Sequence, residues 1–170
     1  MNNSESSVMK SYKEFWTRFI DVQGRSTRSD FWHPFWINLL ISSILGIISA
    51  GLLSSLFAIA VMIPNFTVMV RRLHDTNRTM ILAIVSYISS FIAALGASIF
   101  IIGVVIAAGS GSGTIIGATV MAGVVGTVVA GLVTLYTLLV LVIAGNKKPN
   151  RYGDGGSCQI QIEEAQQTRH

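Results

Sequence analysis

Apolar residues fall into two long stretches, which charged segments separate. No Lys, Arg, Asp or Glu lies at 31–70 or at 79–146. A helix needs roughly 20 apolar residues to cross a hydrocarbon core of about 30 Å. As one straight helix, residues 35–70 would measure about 54 Å, which is too long for one crossing, so we expect each stretch to divide in two. The predicted spans are 32–50, 53–72, 80–107 and 115–144, with turns near Gly51 and in the GSGSG run at 109–113.

Residues 8–22 have a different pattern, in which aromatic and aliphatic residues recur at helical spacing between charged ones. The pattern predicts an amphipathic helix over residues 8–22, with Gly24 just beyond its end as the C′ residue. Because the helix precedes a membrane span and is rich in aromatic residues, we expect it to lie in the headgroup plane. Packing against a soluble partner is the alternative. Thr27 and Asp30 have the spacing of a capping box, which predicts the start of the first span.

These patterns predict an all-α, polytopic membrane protein with four transmembrane helices and an N-terminal amphipathic interfacial helix. The membrane domain would occupy 8–153, while residues 1–7 and the tail 154–170 are polar and expected to be disordered. Strands are excluded, since an open strand edge cannot lie in hydrocarbon. Small residues recur every four positions in the first, third and fourth spans, and they predict close helix packing, within one chain or between copies.

Composition and charge predict how the chain is oriented in the membrane. The chain is 51% hydrophobic and 12% charged, against about 25% charged residues in a soluble domain. An even number of spans puts both termini on one side, and every Lys and Arg lies on that side. The positive-inside rule then predicts cytoplasmic termini. The net charge of +4 is explained by flanks that face anionic headgroups, so no nucleic acid partner is predicted.

Three polar motifs lie at the charged boundary: GRSTRSDFW at 24–32, RRLHDTNR at 71–78 and NRYG at 150–153. Their order resembles the bacterial domain-of-unknown-function family 805, whose members are small inner-membrane proteins. The resemblance covers about 10–153 and implies an inner-membrane protein, but the family has no established activity. Its members usually continue after Asp-Thr with Gly-Arg-Ser-Gly-Trp. This chain has Asn77 in place of the first Gly, and Asn can adopt the same left-handed conformation.

The charged residues of these motifs should lie at one depth and form a rim. The predicted rim residues are Arg25, Arg28, Asp30, Arg71, Arg72, His74, Asp75, Arg78 and Arg151. Three roles are open: a structural Arg–Asp clasp, binding of anionic lipid headgroups or phosphate, and a ligand, ion or proton site at His74 and Asp75. A metal site from His33, His74, Asp30 and Asp75 is not favoured, because no two His have helical i,i+4 spacing. No metal or cofactor is predicted.

The sequence lacks the signatures of soluble enzymes, such as G-x-S-x-G, a P-loop, H-E-x-x-H or C-x-x-C. No ionisable residue lies at mid-membrane depth, where transporters usually carry one. We therefore predict a non-enzymatic structural or accessory component whose rim binds anionic lipid or a protein partner, with a homo-oligomer or other membrane proteins as further partners. The alternatives are a subunit of an oligomeric small-solute transporter or channel, and an enzyme for lipid headgroups that uses His74 and Asp75 as acid and base.

Overall fold

The computed structural model describes residues 7–110 and 113–168. Regular structure in this part is helical, apart from one β-bridge between Asn150 and Gly153. The helices are α1 (Ser7–Thr17), α2 (Arg28–Ser49), α3 (Leu52–Asp75), α4 (Ile81–Ser110), α5 (Gly113–Val142) and α6 (Ser157–Gln167). Helices α2 to α5 are each long and apolar enough to cross a membrane. The predicted all-α, polytopic membrane fold is confirmed.

Two predicted irregular segments fall partly outside the described residues. Of residues 1–7, only Ser7 is described, and it begins α1. Within the predicted GSGSG turn at 109–113, Gly109 and Ser110 belong to α4 and Gly113 begins α5. Its centre, residues 111–112, lies outside the described part.

The chain divides into two compact units. The first comprises residues up to Met80 together with those from Leu141 onward, and the second is Ile81–Val140. In the second unit, the Ser86 and Thr137 hydroxyls lie 2.6 Å apart and join α4 to α5. A Cβ at Gly123 would lie 3.3 Å from the Phe100 ring, so this glycine permits close approach. These small residues pack α4 and α5 of the same chain.

A helical hairpin of α2 and α3 forms the centre of the first unit. The predicted capping box starts α2: the Thr27 backbone N–H donates to the Asp30 carboxylate at 2.8 Å, and the Asp30 N–H donates to Thr27 Oγ1. The predicted turn follows α2, with positive φ at Ala50 (50°) and Gly51 (96°). The ends of α2 and α3 therefore lie within a few residues of those of the predicted spans 32–50 and 53–72.

Helix α1 packs against α2 and α3, and its Phe15 is only 1% exposed. It ends at Thr17 rather than at residue 22 as predicted. The reason is a tertiary contact, because a side chain of α3 bonds to the backbone that follows α1. The Thr67 hydroxyl donates to the Phe19 oxygen at 2.8 Å. Gly24, with φ of 79°, is thus a turn residue of the α1–α2 connection and does not cap α1.

The tail also differs from expectation. Residues 154–170 were expected to be disordered, but they contain α6, in which Cys158 is only 2% exposed. Hydrogen bonds from the start of α6 to α3, described below, hold this helix against the first unit.

Candidate functional site

The structure divides the predicted rim into a buried and a more exposed group. Arg25, Arg71, Arg72, His74 and Asp75 are buried, with at most 7% of any of them exposed. Arg28, Arg78 and Arg151 are exposed, and Asp30 is half-buried. The residues that looked most able to bind a ligand therefore face the interior of the first unit.

Asp75 is at the centre of the buried group and lies at the end of α3. Its Oδ1 accepts hydrogen bonds from both Arg25 Nε at 3.0 Å and Arg25 Nη2 at 2.8 Å, so two N–H groups of one guanidinium share one carboxylate oxygen. Its Oδ2 accepts from Arg72 Nη1 at 2.6 Å. Ser157 completes the arrangement from the start of α6. We call these four residues, Arg25, Arg72, Asp75 and Ser157, the Asp75 clasp.

Every guanidinium hydrogen of Arg25 has an acceptor. Besides Asp75, the acceptors are backbone oxygens of the α5–α6 connection: Lys148 at 3.0 Å and Gly153 at 3.1 Å from Nη1, and Asn146 from Nη2. A guanidinium has five N–H donors, and all five are used here. Arg25 therefore joins the α1–α2 connection to α3 and to the α5–α6 connection, and it has no donor left for a headgroup.

Arg72 ties the end of α5 to the clasp. Its Nε donates to the Leu141 oxygen at 3.2 Å, and its Nη2 donates to the Ile143 oxygen. The last carbonyls of a helix have no partner within the helix, and a cation is favourable there. Arg72 thus bonds to the carbonyls of residues 141 and 143 while Nη1 holds Asp75, so one side chain joins α3 to this segment of the first unit.

Asp75 in turn caps α6. The Ser157 N–H donates to Oδ1 at 3.0 Å and the Ser157 hydroxyl donates to Oδ2 at 2.7 Å. The residue before the helix, Gly156, offers no side-chain cap, so the carboxylate of α3 supplies it. Gly156 has φ of 63°, and a Cβ there would lie 2.9 Å from Arg25 Cβ; a Cβ at Gly145 would overlap the Asp75 carboxylate. Both glycines let the backbone approach Asp75.

Arg71 makes a separate set of contacts. Its Nε donates to Ser26 Oγ at 3.1 Å, and its Nη1 donates to the backbone oxygens of Arg18 at 2.9 Å and Asp21 at 2.5 Å. Burial acts to raise the pKa of the Asp21 carboxyl, but hydrogen bonds from Arg18 and the Gln23 N–H, with the charges of Arg18 and Arg71, lower it. Arg71 therefore fixes the path of the α1–α2 connection.

His74 joins the RRLHD and NRYG motifs. Its ring stacks on Tyr152 with centroids 3.8 Å apart, and its Nδ1 lies 3.2 Å from the Gly24 oxygen. The side chain of Asn150 donates to the His74 carbonyl at 3.0 Å. Asn77 adopts φ of 58°, which confirms that it takes the left-handed conformation. The three motifs of the sequence therefore meet in one place.

The remaining rim residues have other surroundings. Asp30 is occupied by the capping box and by Ser11 Oγ at 3.1 Å. Arg151 lies 4.8 Å from the centre of the Tyr152 ring and donates weakly to the Asn77 oxygen at 3.4 Å. Arg28 is exposed, and no hydrogen bond within the described part of the chain comes from its guanidinium.

The buried group has little capacity to bind a substrate or a metal ion. A carboxylate that already accepts five hydrogen bonds has no lone pair directed at a substrate. His33, proposed as a weak metal ligand, has its Nδ1 3.3 Å from Ser11 Oγ. Within residues 7–110 and 113–168, no group of three or more His, Cys, Asp or Glu is placed to hold a metal ion. The geometry is that of a structural ion-pair network, for which sequence reasoning missed Ser157, Gly145 and Gly156.

Comparison with known proteins gives a family without a defined role. The chain is 27% identical over 78 residues to inner membrane protein YhaH and 33% identical over 79 residues to inner membrane protein YhaI, both of Escherichia coli (strain K12). These matches cover 40% and 43% of this chain, and 64% and 61% of the relatives. No solved structure matches. The family described as "Protein of unknown function (DUF805)" matches residues 19–154, most of the chain, and the protein therefore belongs to this family.

Proposed function

We propose that this protein is a non-enzymatic structural or accessory component of the bacterial inner membrane. In this proposal, the Asp75 clasp keeps the cytoplasmic side of the first unit rigid, and exposed cations around the clasp bind anionic lipid or a protein partner. The observation that carries the proposal is the saturation of the clasp: Asp75 accepts five hydrogen bonds and the Arg25 guanidinium donates five. Groups so fully used internally support a structural role.

Two observations support the proposed location and orientation. The relatives YhaH and YhaI are named inner membrane proteins, and every Lys and Arg lies on the terminal side of the predicted spans. Reporter fusions after Gly51 and after Ser110 should both report the periplasmic side. A cytoplasmic signal from either fusion would contradict the proposed orientation.

Binding of anionic lipid is supported by the cations that the clasp leaves exposed. Arg28, Lys147, Lys148 and Arg151 are all exposed in the first unit. Basic residues next to a membrane surface each contribute about 1 kcal/mol of attraction to anionic lipid. In native mass spectrometry of the full-length protein with equal amounts of phosphatidylglycerol and phosphatidylcholine, we expect preferential retention of phosphatidylglycerol. Equal retention of the two lipids would contradict this part of the proposal.

The non-enzymatic part has its own test at His74. A His74→Phe variant keeps an aromatic ring to stack on Tyr152 but removes the nitrogens that an acid or base needs. We expect this variant to fold and to complement a deletion strain as the wild type does. Loss of complementation by a variant that is folded and present at normal abundance would contradict the proposal and favour chemistry at His74.

The transporter alternative remains a prediction. In the second unit, the hydroxyls of Ser90, Ser98 and Thr127 donate to carbonyls four residues earlier in their own helices, at 2.8–2.9 Å. These hydroxyls are satisfied without a polar pathway beside them. Solute flux through reconstituted protein above that of empty liposomes would favour the alternative.

A further inference from the structure

An open groove lies beside the start of α2, and Ser157 of the Asp75 clasp forms part of its lining. One part of it, with a volume of about 500 Å³, is lined by Arg28, Ser29, Trp32, His33, Trp36 and Val142. A second part, of about 270 Å³, shares Arg28 and Ser29 and reaches Lys147 and Glu164. We call the two parts together the Arg28 groove. All of it belongs to the first unit.

The polar end of the groove carries the cations that the clasp does not use. Arg28 is exposed and donates no hydrogen bond to a described residue, and Lys147, also exposed, lines the same part of the groove. A free guanidinium can form a two-pronged pair with a phosphate, and an ammonium adds a point charge. Glu164 is the acid of this lining, so the two cations leave a net charge of +1. This end of the groove therefore attracts a phosphate.

The other end of the groove is aromatic. Trp32 and Trp36 lie one helical turn apart, with their ring centres 6.3 Å apart, and Trp36 is 56% exposed. Tryptophan at the end of a membrane span lies where headgroups meet acyl chains. A free phosphate would gain nothing from this wall, whereas a lipid would place its glycerol and upper acyl chain against it. The combination favours a lipid over a soluble anion.

We infer that the Arg28 groove binds the phosphodiester headgroup of an anionic glycerophospholipid, with Arg28 and Lys147 on the phosphate and Trp32 and Trp36 along the acyl chain. The inference rests on the proposed function, for which it names one binding site. It also assigns a role to the exposed half of the GRSTRSDFW motif, whose Arg25 is used by the clasp. Because Arg28 and Lys147 are exposed, their replacement should leave the fold intact.

The test uses quenching of tryptophan fluorescence by brominated lipids in reconstituted full-length protein. The chain has three Trp, and a Trp16→Phe background leaves only Trp32 and Trp36 as reporters in the groove. The relative affinity of brominated phosphatidylglycerol over brominated phosphatidylcholine is measured in this background. We expect Arg28→Gln and Lys147→Gln each to lower this preference about fivefold, the factor that corresponds to about 1 kcal/mol per basic residue.

Two further variants make the readout specific. Lys13→Gln removes the same charge from an exposed position on α1 outside the groove, and it should keep the full preference. Glu164→Gln removes the acid of the groove and should raise the preference. Inorganic phosphate, added at constant ionic strength, should leave the quenching by brominated phosphatidylglycerol unchanged.

The other possible results distinguish failure of the groove from failure of lipid binding. If the wild type prefers phosphatidylglycerol and Arg28→Gln and Lys147→Gln behave like Lys13→Gln, the groove is wrong and the proposed function stands. If the wild type shows no preference, both the groove and lipid binding in the proposed function fail. If inorganic phosphate abolishes the quenching by brominated phosphatidylglycerol, the site binds a free anion and the assignment to a lipid is overturned.

Discussion

The Asp75→Asn substitution removes one charge from the clasp and changes little else in size. It leaves the guanidinium groups of Arg25 and Arg72 buried without a carboxylate, and all three side chains are 0% exposed. It also turns one acceptor oxygen into an NH₂ group that faces donors from Arg72 and Ser157, or from Arg25 in the other orientation. In the variant, two buried cations therefore lack a counter-charge, and the new NH₂ group faces other hydrogen-bond donors.

The expected cost follows from this burial. Removing one partner of a buried ion pair costs about 3–5 kcal/mol, and full burial leaves no solvent to screen the loss. For a chain of 150–250 residues, each kcal/mol shifts the melting temperature by about 2–4 °C. Asp75→Asn should therefore lower the melting temperature by roughly 6–20 °C. Asp154→Asn, the same change at an exposed position, should cost less than about 0.5 kcal/mol.

The assay is thermal unfolding of the purified full-length protein in detergent, followed by tryptophan fluorescence, with the wild type, Asp75→Asn and Asp154→Asn in parallel. A double-mutant cycle with Ser157→Ala adds a second check, since residues in one network couple by about 0.5–3 kcal/mol. If Asp75→Asn melts together with Asp154→Asn, the network does not stabilise the fold and the reasoning is wrong.

Three further predictions concern Gly145, Arg25 and Asp21. Gly145→Ala should destabilise the protein by about 1–3 kcal/mol in urea unfolding because its Cβ would overlap the Asp75 carboxylate, whereas Gly126→Ala, in open space, should cause no loss. Arg25→Lys keeps the charge but loses the paired N–H bonds to Asp75 Oδ1 and most of the backbone acceptors, so it should cost about 1–3 kcal/mol in the same measurement; an unchanged midpoint would contradict the hydrogen-bond count. The pKa of Asp21 is lowered from its ordinary value of 3.8. Its stabilising contribution should therefore be present above that pH and disappear as pH falls below it, so the stability difference between wild type and Asp21→Asn should vanish in acid.

Signals that act over a few residues were predictable from the sequence. The capping box of Thr27 and Asp30 is a contact across three residues, and the left-handed Asn77 follows from the conformational preference of asparagine. The four long helices follow from the length and the apolar character of the uncharged stretches. Each of these features depends on local chemistry, so the sequence pattern was sufficient to find it.

The interior of the site depends on contacts between distant residues. Arg25 and Asp75 are fifty positions apart, and Asp75 and Ser157 are eighty-two apart. Charged residues next to a span are usually exposed to headgroups, so nothing in the sequence pattern distinguishes the buried Arg25 from the exposed Arg28. The structure also shows why α6 forms, since its cap comes from α3 and not from its own sequence.

In this structure, Asp75 holds the start of α6 against the rest of the first unit. Cys158 measures this directly, because it is the one cysteine of the chain, follows Ser157 and is only 2% exposed. Its rate of reaction with a maleimide should be slow in the wild type and in Asp154→Asn, and should rise about tenfold or more in Asp75→Asn, the factor for 1.4 kcal/mol or more of lost docking. Reaction of the wild-type thiol as fast as that of the unfolded chain would contradict the account.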